Sequence, residues 1–243
     1  MFRHKGKFRT FAHDLRLAIL LSFVAGLVNI TGVLALKTLT TNVTGHFAFF
    51  AEEIMRHDYA TAFTFLLFTI FFLLGSFLSS FLQELISIKN PNQSHILPIT
   101  LEIIILIGVG FFGTSGGIYT LDGKLTAFLL LLSMGIQNSL VTNISKSTVR
   151  TTHLTGLFTD LGIELSQLIF YKKPEEVKKL KTSIFLRLSI IFFFFLGCFS
   201  GGIIYQMLEM KTLFVAATVL LIAQLYDFLR LKFYVIKRKT LSK

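Results

Sequence analysis

Thr40-Thr41-Asn42-Val43-Thr44-Gly45 returns as Thr151-Thr152-His153-Leu154-Thr155-Gly156, 111 residues on from position 40 to position 151, so the 243-residue chain reads as a duplication. The surroundings repeat as well. Gly26-Leu27-Val28-Asn29 precedes the first copy and Gly135-Ile136-Gln137-Asn138 the second. Further along, Phe72-Leu73-Leu74-Gly75-Ser76-Phe77 matches Phe194-Phe195-Leu196-Gly197-Cys198-Phe199 at an interval of 122, and the charged insert 171–181 accounts for most of the extra length. Two halves carrying polar Thr/Gly breaks within apolar sequence are the pattern of a transporter or channel core.

The composition fixes the solvent. The chain is 53% hydrophobic and 15% charged with a mean hydropathy of +0.71, whereas a soluble domain carries about a quarter charged residues. Runs such as 15–36 and 60–82 are long enough to cross roughly 30 Å of hydrocarbon as helices. The partner implied is a lipid bilayer. A net charge of +11 does not point to nucleic acid, because the basic residues cluster beside apolar spans and form no recognisable nucleic-acid motif. The clusters are Arg3, Lys5, Lys7, Arg9 and Arg16, then 172–181, then 230–243, and the positive-inside rule assigns all three, with both termini, to the cytoplasm. The basic-then-apolar start lacks a small-residue cleavage site, so the first span is expected to be retained. The single Cys198 reads as a small packing residue.

In chain order the expectation is a basic tail (1–14), a first membrane repeat (15–118), a second membrane repeat (119–237) and a basic C-terminal tail (238–243). Full spans are predicted at 15–36, 60–85, 96–112, 125–141, 184–207 and 212–233. The segments 45–55 and 155–170 follow the two breaks, and the first is too short and too acidic to cross alone, so both are predicted to be re-entrant. The fold class is thus all-α integral membrane, with six transmembrane helices, two short re-entrant helices and a two-fold internal repeat. Three spans per half would invert the second half relative to the first. An eight-span arrangement in which both short helices cross gives the termini and the insert the same side, so charge alone rejects neither. Gly75-x-x-x-Ser79 and Gly197-x-x-x-Gly201 read as stripes that admit a neighbouring helix. A turn is expected at 89–92 and a glycine-rich loop at Gly113, Gly116 and Gly117. Glu102 and Asp227, near span ends, are expected to be solvated.

A Thr-x-x-Thr-Gly break leaves unpaired N–H groups at a helix start, where the dipole favours an electron-rich group. Taken singly, each threonine is better read as a helix cap. The recurrence of the break in both halves, beside spans bearing Asn29 and Asn138, favours a shared central site. The candidate substrate-binding residues are Asn29, Asn42, Thr44, Gly45, His46, Asn138, His153, Thr155, Gly156, Asp160 and Glu164. His153, Asp160 and Glu164 are spaced by seven and four, so they share a helix face, and acids at membrane depth usually serve ions, protons or substrate. Asp160 is expected to face the polar centre while Leu157, Leu161 and Leu165 pack on the far side, a setting suited to proton exchange. No HExxH or CxxC spacing supports a metal, and no cofactor is implied.

At the quoted blocks the sequence resembles the YoaK-type family of bacterial membrane proteins, a domain of unknown function, over most of the chain. Relatives commonly carry Asn where this chain has His46. The resemblance implies a multi-pass protein of the bacterial inner membrane and names no substrate. The expected function is therefore transport or conduction of a small solute or ion. A non-transporting scaffold or lipid-interacting subunit is the alternative. An intramembrane enzyme ranks lower, because nucleophile-elbow, zinc and P-loop motifs are all missing. Homo-oligomerisation is left open.

Overall fold

The computed structural model describes Phe2, residues 9–113 and residues 122–241. Gly116, Gly117 and most of the basic N-terminal tail lie outside the described residues. Among those described, the regular structure is helical throughout: α1 (Phe11–Leu36), α2 (Val43–Met55), α3 (Tyr59–Ser87), α4 (Ile96–Phe112), α5 (Gly123–Ser145), α6 (Leu154–Phe170), α7 (Pro174–Leu208) and α8 (Leu213–Leu241). Four stretches are long and apolar enough to cross a membrane, namely Phe11–Leu36, Tyr59–Ser87, Gly123–Ser145 and Pro174–Leu229. The last covers both α7 and the start of α8, and α4 is apolar but only 17 residues long. The outer faces are apolar too: Leu73, Phe77, Phe111 and Phe195 are all more than 60% exposed, as a lipid-facing surface requires and a water-facing one does not.

Helix ends follow their local chemistry. Asn42 accepts the Gly45 N–H at 3.1 Å and so starts α2. Asp58 accepts both the N–H and the hydroxyl of Thr61, at 3.1 and 2.7 Å, to start α3. Those bonds, the Thr61 hydroxyl first, hold the Asp58 carboxyl below its usual range. α1 and α5 end alike, on Lys37 and Lys146 in the left-handed region with φ of 53° and 51°. The insert 171–181 is mostly helical, forming the first turns of α7 from Pro174 onward, which makes that helix 35 residues long. At 1.5 Å per residue it measures about 52 Å, well beyond the bilayer core.

Four glycines set the distances between the long helices. A Cβ built on Gly26 of α1 would overlap the carbonyl oxygen of Phe194 on α7, and one on Gly197 of α7 would overlap the carbonyl of Phe23 on α1. The same reciprocity joins α3 and α5, where Gly75 meets the Leu132 carbonyl and Gly135 meets that of Phe72. The residue after each α3 or α7 glycine completes the contact: Ser76 donates to the Gly135 carbonyl at 3.1 Å and the Cys198 thiol to that of Gly26 at 3.2 Å. Small residues let helix backbones approach closely where lipid supplies no hydrophobic drive for association.

These contacts also give directions. Phe23 with Gly197 and Ile30 with Gly201 make α1 and α7 parallel; Phe68 with Phe128 and Ser80 with Asn143 make α3 and α5 parallel. Between the pairs, Gln137 Nε2 donates to the Leu21 carbonyl at 2.9 Å while Gly123 lies against Leu36, so α1 and α5 are antiparallel. Gln224 donates to Thr100 at 2.9 Å and Phe214 packs on Gly110, so α8 runs antiparallel to α4. Gly113, just past the end of α4, meets Met210, in the short turn between α7 and α8. α1, α4 and α7 therefore point one way, and α3, α5 and α8 the other. The core they enclose includes Leu17, Leu21, Leu106, Leu130, Met134 and Leu213.

Two acids depart from the expectation of solvated span ends. Glu102 is fully buried on α4 with neither carboxylate oxygen hydrogen-bonded, because α5 and α8 cover that face. Asp227 is buried on α8, where the Phe2 N–H donates to it at 2.6 Å and Phe2 itself stacks on His95.

Candidate functional site

After each of α1 and α5 the chain turns back along the helix it has just left. The Thr40 N–H and the Thr41 hydroxyl both donate to Asn29 Oδ1, each at 3.1 Å, which brings the first break back to the level of Asn29, two turns before the end of α1. On the other side the Thr152 hydroxyl donates to Asn138 Oδ1 at 3.0 Å. The short helices then lead away again. α2 lies antiparallel on α3 through His46 against Phe65 and Phe68. α6 lies antiparallel on α7, where Arg187 Nη1 meets Asp160 at 2.8 Å and Arg187 Nε meets Glu164 at 2.9 Å.

The two breaks open onto one cavity of about 870 Å³. From the first half its wall takes Asn29, Leu39 and the run from Thr41 to Gly45, with Ala48 beyond; from the second it takes Asn138, Thr142, Arg150 and the run from Thr152 to Thr155. Phe72 and Phe194, whose carbonyls receive Gly135 and Gly26, close the sides. The glycine contacts that fix the helix spacing thus also position the cavity. Of the residues proposed from sequence, Asn29, Asn42, Thr44, Gly45, Asn138, His153 and Thr155 line it together.

Four do not. His46 is buried beside α3 with its Nε2 on the Leu39 carbonyl at 2.8 Å. A Cβ built on Gly156 would come within 2.8 Å of the His153 ring, so Gly156 borders that ring rather than the wall. Asp160 does not face the polar centre, because Arg187 draws its carboxylate toward α7. Glu164 is held by the same guanidinium and by the Ser183 hydroxyl at 2.6 Å. Arg187 was hidden in sequence by its position in an otherwise apolar run. Arg150 was missed as well, although it stands immediately before the second break.

Hydrogen-bond accounting sets the polarity of the wall. A backbone N–H can donate only to the oxygen end of a side-chain amide, so the Thr40 N–H fixes the orientation of the Asn29 amide, and the Gly45 N–H does the same for Asn42. Asn29, Asn42 and Asn138 each commit Oδ1 within the chain and keep the NH₂ group available. Arg150 is exposed and has no ion pair among the described residues. No Asp or Glu lines the cavity among the described residues, nor do they hold a His/Cys/Asp/Glu group suited to a metal. A second, mainly apolar cleft of about 300 Å³ lies between α4 and α8, where the Gln224 amide already pairs with Thr100.

Apolar outer faces, polar helix breaks and an internal cavity define a helical, membrane-embedded protein. The chain belongs to the DUF1275 family, described as a protein of unknown function, whose match covers residues 17–226. The YoaK-type resemblance is consistent with that family. No curated protein and no solved structure matches.

Proposed function

We propose that this protein is a small-solute transporter or channel of the bacterial inner membrane, built as an inverted repeat of three spans and one re-entrant helix per half, with its solute site in the cavity between the breaks. One observation carries the reading: two segments 111 residues apart meet at a single cavity, approached by helices α1 and α5 that run in opposite directions. If α2 and α6 crossed the bilayer, strict alternation over eight spans would make α1 and α5 parallel. Their antiparallel packing supports six. With α1, α4 and α7 running one way and α3, α5 and α8 the other, α2 returns to the side where α1 ends and α6 to the side where α5 ends. Half-helices that begin near the midplane and point their N-termini at a solute are the transporter pattern.

The side assignment follows from charge. α1 and α7 begin on the same face, which gathers Arg9, Arg16 and Lys172 to Lys181, and α8 ends there with its basic tail. The positive-inside rule makes that face cytoplasmic, with both termini. A scaffold has no use for a cavity of this size lined by asparagines, threonines and an arginine. An enzyme would want an activated nucleophile, and no hydroxyl of the wall is bonded to a ring nitrogen or carboxylate among the described residues.

The test is uptake into proteoliposomes of radiolabelled glycerol, methylammonium, acetate, succinate and phosphate. At least one solute should enter faster than into protein-free vesicles, and Thr44→Trp or Thr155→Trp should stop it while Phe195→Leu on the outer face of α7 does not. Absence of uptake for the whole panel would favour the scaffold.

A further inference from the structure

We propose that the cavity binds a small anion, a carboxylate or another oxyanion, and that Arg150 is the residue that selects it. This rests on the reading of the cavity as a solute site and names its substrate class. The wall is one-sided in chemistry. Among the described residues its one formal cation is Arg150, it contains no carboxylate, and three of its amides have their oxygens engaged within the chain and their NH₂ groups uncommitted. A cationic solute would find hydroxyl oxygens and the His153 ring but no carboxylate among the described residues, and a guanidinium to repel it. An anion would find a planar fork of donors from Arg150, NH₂ groups from Asn29 and Asn138, and hydroxyl donors from Thr44 and Thr155.

The acids of this region are elsewhere engaged, which sharpens the inference. Asp160 and Glu164 on α6 would neutralise Arg150 if they faced the cavity, but both are paired with Arg187 on α7. Arg187 therefore keeps the cavity free of negative charge without touching it. The starts of α2 and α6 both open onto the cavity wall, and their partial positive charge adds to that of Arg150. The two halves contribute unequally: position 150 corresponds in the duplication to Leu39, also in the wall, so the charge sits on the second-half side alone. On the topology proposed above this is the cytoplasmic side of the centre.

Two measurements on the full-length protein separate this inference from the transport reading. The first is thermal stabilisation of the purified protein by sodium succinate and sodium phosphate, compared with glycerol and with methylammonium at matched ionic strength. The second is uptake of the same probes into proteoliposomes, for wild type, Arg150→Lys and Arg150→Gln. The expected result is stabilisation and uptake by at least one anion, reduced about tenfold or more in Arg150→Gln, since a charge-assisted hydrogen bond is worth at least that factor, and reduced less in Arg150→Lys, which keeps the charge but loses the planar fork. Arg150 is exposed, so neither change threatens the fold. Stabilisation by an anion without uptake would uphold the anion site and overturn transport. Uptake of glycerol or methylammonium with no anion effect would uphold transport and overturn the anion site. An anion effect equal in all three proteins would remove Arg150 and overturn the proposal as stated, as would the absence of any anion effect in either assay.

Discussion

Gly26→Ala should destabilise the protein although it adds a single methyl group and favours helix. The added Cβ would overlap the Phe194 carbonyl oxygen and lie 3.0 Å from its carbonyl carbon, closer than such atoms tolerate, and the obstacle is backbone that cannot rotate aside. α1 and α7 would have to part along their whole contact. Overpacking of this kind costs about 1–3 kcal/mol. For a chain of this size that is a fall in Tm of about 2–12 °C, measured on detergent-solubilised protein. Gly135→Ala should cost a similar amount at the α3–α5 contact, where the Phe72 carbonyl is the obstacle. Combination adds a second test. Gly26→Ala with Gly135→Ala opens two separate interfaces and should be additive within about 0.5 kcal/mol, whereas Gly26→Ala with Gly197→Ala opens one interface twice and should cost less than the sum. The controls are Gly108→Ala and Gly162→Ala, helical glycines with nothing within 4 Å of a built Cβ, which should be neutral or stabilising by up to about 1 kcal/mol. If Gly26→Ala and Gly135→Ala behave like these controls, the glycine contacts do not set the helix spacing and the argument fails.

Three further outcomes follow. Asn29→Leu should cost about 1–3 kcal/mol, because it strands the Thr40 N–H at a buried position, and should abolish uptake, whereas Asn29→Asp, which still accepts that bond, should fold but lose uptake of anions; thermal unfolding and proteoliposome uptake check both. Asp160→Asn should leave uptake intact and change stability by no more than about 1 kcal/mol, since the Asp160 side chain is 51% exposed, while Glu164→Ala should cost more, since that side chain is 13% exposed and has two partners. Asp58→Asn should remove a pH-dependent part of stability: the folded-state carboxyl lies below its usual range, so the cap stabilises above the ordinary carboxylate range and is lost as pH falls through the lowered value, whereas Asn caps at every pH. Melting curves between neutral and acidic pH should show the wild type losing more stability than Asp58→Asn toward the acidic end.

The sequence made the helices and the breaks legible because both are local. Apolar runs locate α1, α3 and α4 to within a few residues, and the recurrence of Thr-x-x-Thr-Gly marks where the chain turns back. Seven of the eleven candidate residues reach the cavity, Asn42, Thr44, Gly45, His153 and Thr155 because they sit in a break, and Asn29 and Asn138 because the breaks fold back onto them. What local pattern could not supply was pairing. Gly75 and Gly197 each announce a close helix contact, but nothing in their spacing tells that Gly75 meets Gly135 and Gly197 meets Gly26, which requires the three-dimensional arrangement. The same blindness misled the reading of Asp160. Leu157 and Leu161 do bury as the helical period predicts, yet Leu165 is 49% exposed, and the acid is claimed by Arg187, 27 residues away on another helix. Glu102 near the start of α4 read as a solvated end because its helix begins only six residues earlier, and the cover from α5 and α8 is a tertiary fact.

The central claim is that the second half of the chain lies upside down relative to the first, so that both breaks reach the middle of the bilayer. Its most direct test is side-specific labelling of single cysteines at Arg56, Lys89 and Asp122, in a Cys198→Ser background that keeps a donor for the Gly26 carbonyl. On intact cells an impermeant thiol reagent should label the cysteines at Arg56 and Asp122 and spare the one at Lys89, which should react only once the cytoplasmic face is opened. Labelling of the Lys89 position from outside, with the other two protected, would mean that α2 and α6 cross the membrane and would contradict the account.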